Sequence, residues 1–289
     1  MAVGTNIWTY FDGKWQEGDL PVMKAADHAT WLGTLVFDGA RAFEGLVPDL
    51  DLHLARVNHS AIVMGLKPTL SVSEMTAITH EGMAHLGKDR PIYIRPMYWS
   101  VGSGPGVVPP NPDSTVFCMC LEELPMAPPT ASQTLTTTQF TRPTMASALV
   151  NAKAACLYPN NARMLREAQG KGFNNALVLD PLGNVAETAT ANVFMVKDGA
   201  VMTPVPNGTF LNGITRQRII ALLKDDGFEV VERTLSLDDF RGADEVFMSG
   251  NISKVTPVTR FDDVEYGAGK VAPRAREIYW QWAEKGQRL

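Results

Sequence analysis

Long apolar runs are missing from this sequence of 289 residues: the longest, VFCMCL, is six residues, against the roughly 20 that a membrane-spanning helix needs. Cysteine is scarce. The three present are an odd number and form no disulfide framework; Cys118 and Cys120, two apart, would share one face of a strand and read as packing. Five scattered histidines offer no Cys/His spacing for a metal. Basic residues are in the minority, 26 Lys and Arg against 31 Asp and Glu, net charge −5. No basic cluster gives the electrostatic footprint of a nucleic-acid binder; in RMLREAQGKG the basic residues alternate with acid, as on a solvated helix face. The N-terminal MAVGTNIWTYFDGKW has no basic region followed by an apolar core, so no signal peptide is expected and a reducing, cytoplasmic compartment is the default. There is no GxxxxGK[ST] phosphate loop, no internal repeat and no low-complexity tract.

What is present suits a globular chain with a sizeable core, 45% apolar and 20% charged. IWTYF, Asp12-Gly13 and KWQ read as a hairpin. DLDLHLARVNHSAIVMGL has helical spacing and ends near Gly65. RPIYIRPMYW and STVFCMCLEE are strand-like, separated by the Gly/Pro-rich loop SVGSGPGVVPPNP. LPMAPPTA, without periodicity, reads as a linker at 124–131. Beyond it, QTLTTTQFT reads as a strand, and NALVLDPLGNVAETATANVFMVKDGAVMTP as successive strands with turns at Pro181–Gly183 and Asp198-Gly199. GITRQRIIALLKDDG is a helix; the strand-like FEVVERTLS, a short LDDF segment and the strand DEVFMSGN follow. Without strict βαβ alternation, the expectation is two α+β domains: a smaller one at 1–123 and a larger one at 132–289.

Three places carry candidate chemistry. In LVNAKAACLYPNN an amphipathic run breaks at Pro159, and Lys153 sits among small and apolar residues with no acidic neighbour. Apolar surroundings disfavour the ammonium and free the amine as a nucleophile toward a carbonyl compound, pyridoxal phosphate included. The alternative is a lysine whose stem lies on apolar surface while its head reaches water. In NGTFLNGITRQRII, Gly213 precedes a helix whose first amides, at Ile214 and Thr215, have no internal partners and suit a phosphate. Ser249-Gly250-Asn251, at the end of a strand, is another place where backbone can approach an anion. Glu187 is the only charge between Asp180 and Lys197. Buried, it needs a proton, a donor or a cation, and a protonated pyridine nitrogen would serve; on an edge strand it would need only water.

Taken together these segments resemble the class IV aminotransferases, the pyridoxal-phosphate fold-type IV family. FDGARAFEG, HLARVNHSA, YIRP, NAKAACLYPNN, GNVAETATANVF, LNGITRQR and DEVFMSGN…VTPV follow that family in order and spacing along nearly the whole chain. The resemblance implies a two-domain α+β fold, pyridoxal 5'-phosphate at the domain junction, and a homodimer or larger. It implies Lys153 as the Schiff-base lysine and proton shuttle, Glu187 as partner of the ring nitrogen and Tyr158 as neighbour of the phenolic oxygen. Arg56, Ile214, Thr215 and Asn251 are implied as the phosphate cradle, with Asn251 standing where branched-chain members carry threonine.

Within the family, YIRP is similar to the branched-chain pattern, in which Tyr93 and Arg95 help bind the substrate carboxylate, Arg95 through its planar fork. Phe37, Gly39 and Ile252 fit the same substrate site. Read without the resemblance, Tyr93 could be core and Arg95 could face a carboxylate of the chain itself. Leu32, Asn251-Ile252 and Trp99, the last expected near the pocket mouth, depart from the branched-chain pattern and resemble (R)-selective amine transaminases. The implied reaction moves an amino group between a hydrophobic, branched-chain-like amino acid and a 2-oxo acid, with (R)-amine transamination as the alternative. An aminodeoxychorismate lyase or a non-catalytic carrier of the cofactor stand further off.

Overall fold

The computed structural model describes residues 4–288. The chain divides into two compact units. The first runs through Met126 and takes in Asn151–Cys156 and the C-terminal end from Ala283; the second is Ala127–Val150 with Leu157–Trp282. Asn151–Cys156, which holds Lys153, groups with the first unit, where its main chain pairs with a strand.

In the first unit, β1 (Thr5–Phe11) and β2 (Lys14–Glu17) form the expected hairpin. Asp12 and Gly13 both have positive φ, 52° and 77°, as a tight primed turn requires. There follow α1 (His28–Leu32), β3 (Leu35–Phe37), β4 (Ala40–Ala42), α2 (Leu50–Val63), α3 (Val72–Leu86), β5 (Ile92–Ser100) and β6 (Thr115–Glu123). The sheet order is β2-β1-β6-β5-β3, with β4 also on β5, and every pairing is antiparallel. Tyr93, Arg95 and Met97 of β5 lie opposite Glu122, Cys120 and Cys118 of β6 and so share one face. On the other face Ile92, Ile94 and Tyr98 are fully buried, and Tyr98 reaches Met75 of α3. Cys118 and Cys120 are buried on one strand face as expected. Trp99 is not at a pocket mouth: it is fully buried and stacks on Phe11 at 6.0 Å, its bulk spent on the core.

The second unit holds β7 (Gln133–Thr141), α4 (Tyr158–Gly170), β8 (Asn175–Leu179), β9 (Val185–Thr188), β10 (Asn192–Lys197), β11 (Ala200–Pro204), α5 (Ile214–Asp225), β12 (Val230–Arg233), α6 (Leu237–Arg241), β13 (Glu245–Gly250), β14 (Lys254–Phe261), β15 (Val264–Glu265) and α7 (Val271–Gly286), whose last turn belongs to the first unit. The order β12-β11-β10-β13-β14-β7-β8-β9 mixes directions, β7 lying parallel to both neighbours. Alternation decides what each face buries. Phe194 and Phe247 stack at 4.8 Å and pack with Ile219 and Leu223 of α5 and Tyr279 of α7. Val193, Met195, Val246 and Met248 point the other way, onto Phe240 of α6. Each such buried side chain stabilises by about 1.5–3 kcal/mol.

Pro159 does not end a helix. It occupies the first turn of α4, where a missing N–H costs nothing. Capping boxes close the N-termini of α3 (Ser71 with Glu74) and α6 (Ser236 with Asp239). The Glu245 carboxylate accepts the amides of Lys270, Val271 and Ala272 at the start of α7, at 2.9, 2.9 and 2.6 Å. The N-terminus of α5, after Gly213, has no side-chain cap.

Candidate functional site

In the first unit the lysine segment is joined to β3 and α2 by main chain. Phe37 N donates to Lys153 O at 3.1 Å, Val36 and Ala154 form an antiparallel bridge, and Lys153 N donates to Ser60 Oγ at 3.0 Å. The half-buried Lys153 places its ammonium 5.0 Å from the Phe37 ring centroid, within reach of a cation–π attraction.

His53, Arg56 and Ser60 are spaced to share one face of α2. Two of them converge on Asp38, which is fully buried. Arg56 donates to it through Nε at 2.6 Å and Nη2 at 2.9 Å, and His53 Nδ1 lies 2.7 Å away. Burial opposes ionisation of Asp38, but the charge and hydrogen bonds of Arg56, aided by His53, outweigh it and hold the carboxyl well below the usual range. Arg56 is thus held in a fixed orientation.

A cavity of about 360 Å³ opens on the Arg95 face of the sheet, within the size range of small-molecule sites. Phe37, Leu35 and Met97 supply apolar wall, Ala155 brings the lysine segment to it, and Arg95 and Asp19 supply charge. Arg95 is not uncommitted: Nη2 donates to Glu122 Oε1 at 2.8 Å and to Cys120 Sγ at 3.5 Å. The Tyr93 ring lies 5.7 Å from the Arg95 guanidinium and directly over Gly39, where a Cβ would overlap the phenol oxygen. Burial pushes the Cys118 thiol up to about 12, so it stays protonated wall rather than nucleophile.

In the second unit Glu187 stands on β9, 9% exposed. Arg142 Nε lies 3.2 Å from its Oε1, and Asn192 Nδ2 donates to Oε2 at 3.2 Å and to Leu211 O at 3.0 Å. Asn192 Oδ1 occupies the place that a Cβ on Gly213 would take. One amide therefore links Glu187 to the start of α5, where Ile214 and Thr215 are buried, 7% and 4% exposed. Ser249 pairs with Asn192 across β10 and β13, and both Ser249 Oγ and Asn251 Nδ2 are closed to solvent without a hydrogen-bond partner among the described residues. Tyr158 begins α4 and is 38% exposed; Ile252 is 50% exposed. No group of three or more His, Cys, Asp or Glu residues suited to a metal occurs among the described residues.

The profile of the class IV amino-transferases matches residues 35–261. The chain belongs to the class IV aminotransferases. The branched-chain-amino-acid aminotransferase of Pseudomonas aeruginosa is 31% identical over 282 residues, 94% of this chain and 90% of that protein. A crystal structure of an aminotransferase from Brucella abortus bound to PLP is 58% identical, with a TM-score of 0.95 over 96% of this chain and 99% of that one. The branched-chain amino acid aminotransferase from Escherichia coli, also a solved structure, is 29% identical, with a TM-score of 0.84 over 96% of this chain and 93% of that one.

In this class IV aminotransferase the sequence-derived residues fall into two sets. Phe37, Gly39, Arg56, Tyr93, Arg95 and Lys153 belong to the first unit; Tyr158, Glu187, Ile214, Thr215, Asn251 and Ile252 belong to the second. The residues that orient them, Asp38, His53, Ser60, Arg142 and Asn192, escape a reading by motif, since each acts through a neighbour. Only α2 gave a signal, in the spacing of His53, Arg56 and Ser60.

Proposed function

We propose that the chain is a pyridoxal-phosphate-dependent aminotransferase that moves an amino group between a hydrophobic, branched-chain-like amino acid and a 2-oxo acid. The observation that carries this reading is the Lys153 amine 5.0 Å from the Phe37 ring, a ring that with Ala155 and Arg95 lines the cavity. The groups present fit the cofactor: an amine, a carboxylate kept beside a cation, an uncapped helix N-terminus, and two buried donors without partners among the described residues. When bound, pyridoxal phosphate supplies an electron sink for charge at the substrate α-carbon.

Lys153 holds the cofactor's aldehyde carbon and moves the proton at the substrate α-carbon. Glu187, with Arg142 keeping its charge in place, holds the ring nitrogen protonated, and Tyr158 stands by the phenolic oxygen. Arg56, the amides of Ile214 and Thr215, the Thr215 hydroxyl and Asn251 take the phosphate. Phe37, Gly39 and Ile252 shape the substrate wall, while Tyr93 and Arg95 serve the substrate carboxylate end. The active form is a homodimer or larger, in a reducing cytoplasm that suits three free cysteines; light scattering on the purified protein tests the assembly.

One observation favours a second reading, an (R)-selective amine transaminase with a 2-oxo acid acceptor. Arg95 already has a carboxylate in Glu122, and Asp19 lines the same cavity, an arrangement that tolerates a donor without a carboxylate. Mixing the yellow holoenzyme separately with L-leucine and with (R)-1-phenylethylamine decides between them. Fast loss of the long-wavelength band with leucine alone supports the first reading, and with the amine alone the second. Loss with neither, nor with any other amino donor, overturns both.

A further inference from the structure

The turn after β13 leads into a lysine that none of these roles uses. Lys254 opens β14, is 1% exposed, and has a φ of 61°, in the left-handed region that residues with a Cβ rarely adopt. Burying an ammonium and placing a side chain there are both unfavourable, so the position calls for a compensating interaction. The ammonium donates to Asn251 Oδ1 at 2.7 Å and lies 5.4 Å from the ring of the buried Tyr279.

This contact determines which end of the Asn251 amide is available. With the oxygen committed to a cation, the remaining end is Nδ2, which only donates. It is closed to solvent and has no hydrogen-bond partner among the described residues, as is Ser249 Oγ two residues earlier. Ser249 stands opposite Asn192 in the ladder, so the two project from one face of the sheet. Asn192 in turn packs against Gly213 at the uncapped start of α5. Buried donors left unsatisfied, one of them opposite a residue packed at a helix N-terminus, suit an oxyanion.

We propose that Lys254 is a positioning residue for an anion subsite: it pins Asn251 by its oxygen, so that Nδ2 is presented to a phosphate monoester, and adds a buried positive charge behind the turn. The proposal rests on the function above and deepens it, by assigning to Lys254 part of the affinity for the cofactor's phosphate.

The test is the dissociation constant of the apo-protein for pyridoxal 5'-phosphate and for pyridoxal, which lacks the phosphate. Lys254→Met is expected to weaken pyridoxal 5'-phosphate by roughly ten- to hundredfold, the effect of losing a hydrogen bond to a charged group, and to leave pyridoxal unchanged. Retained pyridoxal binding also shows that the variant is folded. Asn251→Asp keeps Lys254 paired and the turn intact but directs an acceptor at the phosphate, so it should show the same selective loss. Wild-type affinity for pyridoxal 5'-phosphate in Lys254→Met, or equal weakening of both ligands, overturns the role of Lys254. Equal affinity of the wild-type protein for the two ligands overturns the phosphate cradle itself.

Discussion

Arg142 Nε lies 3.2 Å from Glu187 Oε1, with the two side chains 8% and 11% exposed. Arg142 donates through Nη2 to Thr188 O at 2.6 Å and through Nη1 to Asn161, so its guanidinium is fixed across β9 and α4. In the function proposed above this carboxylate faces a ring nitrogen, and Arg142 is the cation fixed beside it. Removing one partner of such a buried pair leaves the other charge uncompensated, at a cost of about 3–5 kcal/mol. Arg142→Met should lower the urea midpoint accordingly and weaken cofactor binding. A loss below about 1 kcal/mol would show that the pair is dispensable.

Asp38 gives stability a signature in acid. Its folded-state ionisation lies well below that of an unfolded aspartate, about 3.9, so its contribution is fully present above that value and is lost as pH falls toward strong acid. Asp38→Asn should be less stable near neutral pH by about 3–5 kcal/mol, because Arg56 and His53 lose their shared carboxylate. The gap to the wild type should narrow below about pH 4. Denaturant titrations across that range check this, and a gap that widens in acid would contradict the assignment.

Gly213 has no room for a side chain. A Cβ there would overlap Asn192 Oδ1 and displace the amide that also holds Glu187. Gly213→Ala should weaken pyridoxal 5'-phosphate by about tenfold or more, or 1.4 kcal/mol. With Asn192→Ala already present, the same glycine substitution should cost little further. Simple additivity of the two changes would argue against the collision.

Lys153 is placed through its main chain, which bonds to Ser60 and Phe37. Lys153→Ala keeps those bonds. The fold should therefore persist, with a melting temperature within about 2 °C of wild type, while turnover falls by roughly 10⁴-fold or more. A variant with near-normal turnover would remove Lys153 from the chemistry.

Arg95→Ala should raise the KM for a 2-oxo acid more than that for an amine without a carboxylate. It also strands Glu122, 1% exposed, so stability drops as well. Adding Glu122→Gln should recover the stability but not the oxo-acid affinity. Equal losses on both substrates would place Arg95 outside carboxylate recognition.

Local features were legible in the sequence. The Asp12-Gly13 hairpin, α2 and α5 follow from turn residues and helical spacing. Lys153 and Glu187 stand out as isolated charges in apolar segments. Elsewhere one pattern serves two purposes. Pro159 has the signature of a break and is a helix start. Trp99 has the bulk of a pocket residue and is core. FEVVERTLS looked like a long strand, but only Val230–Arg233 pairs, on one side, with β11.

By itself the sequence determined which segments become strands and helices and which residue types stand ready for the chemistry, because backbone preference and side-chain periodicity are short-range properties. Only the tertiary structure decided which residues orient them. Arg142 meets Glu187, Asn192 meets Gly213, Asp38 gathers His53 and Arg56, and Glu122 claims Arg95. Each pair comes from separate turns, strands or helices, and each is set by register and burial: a charge removed from water takes the partner that the fold places beside it.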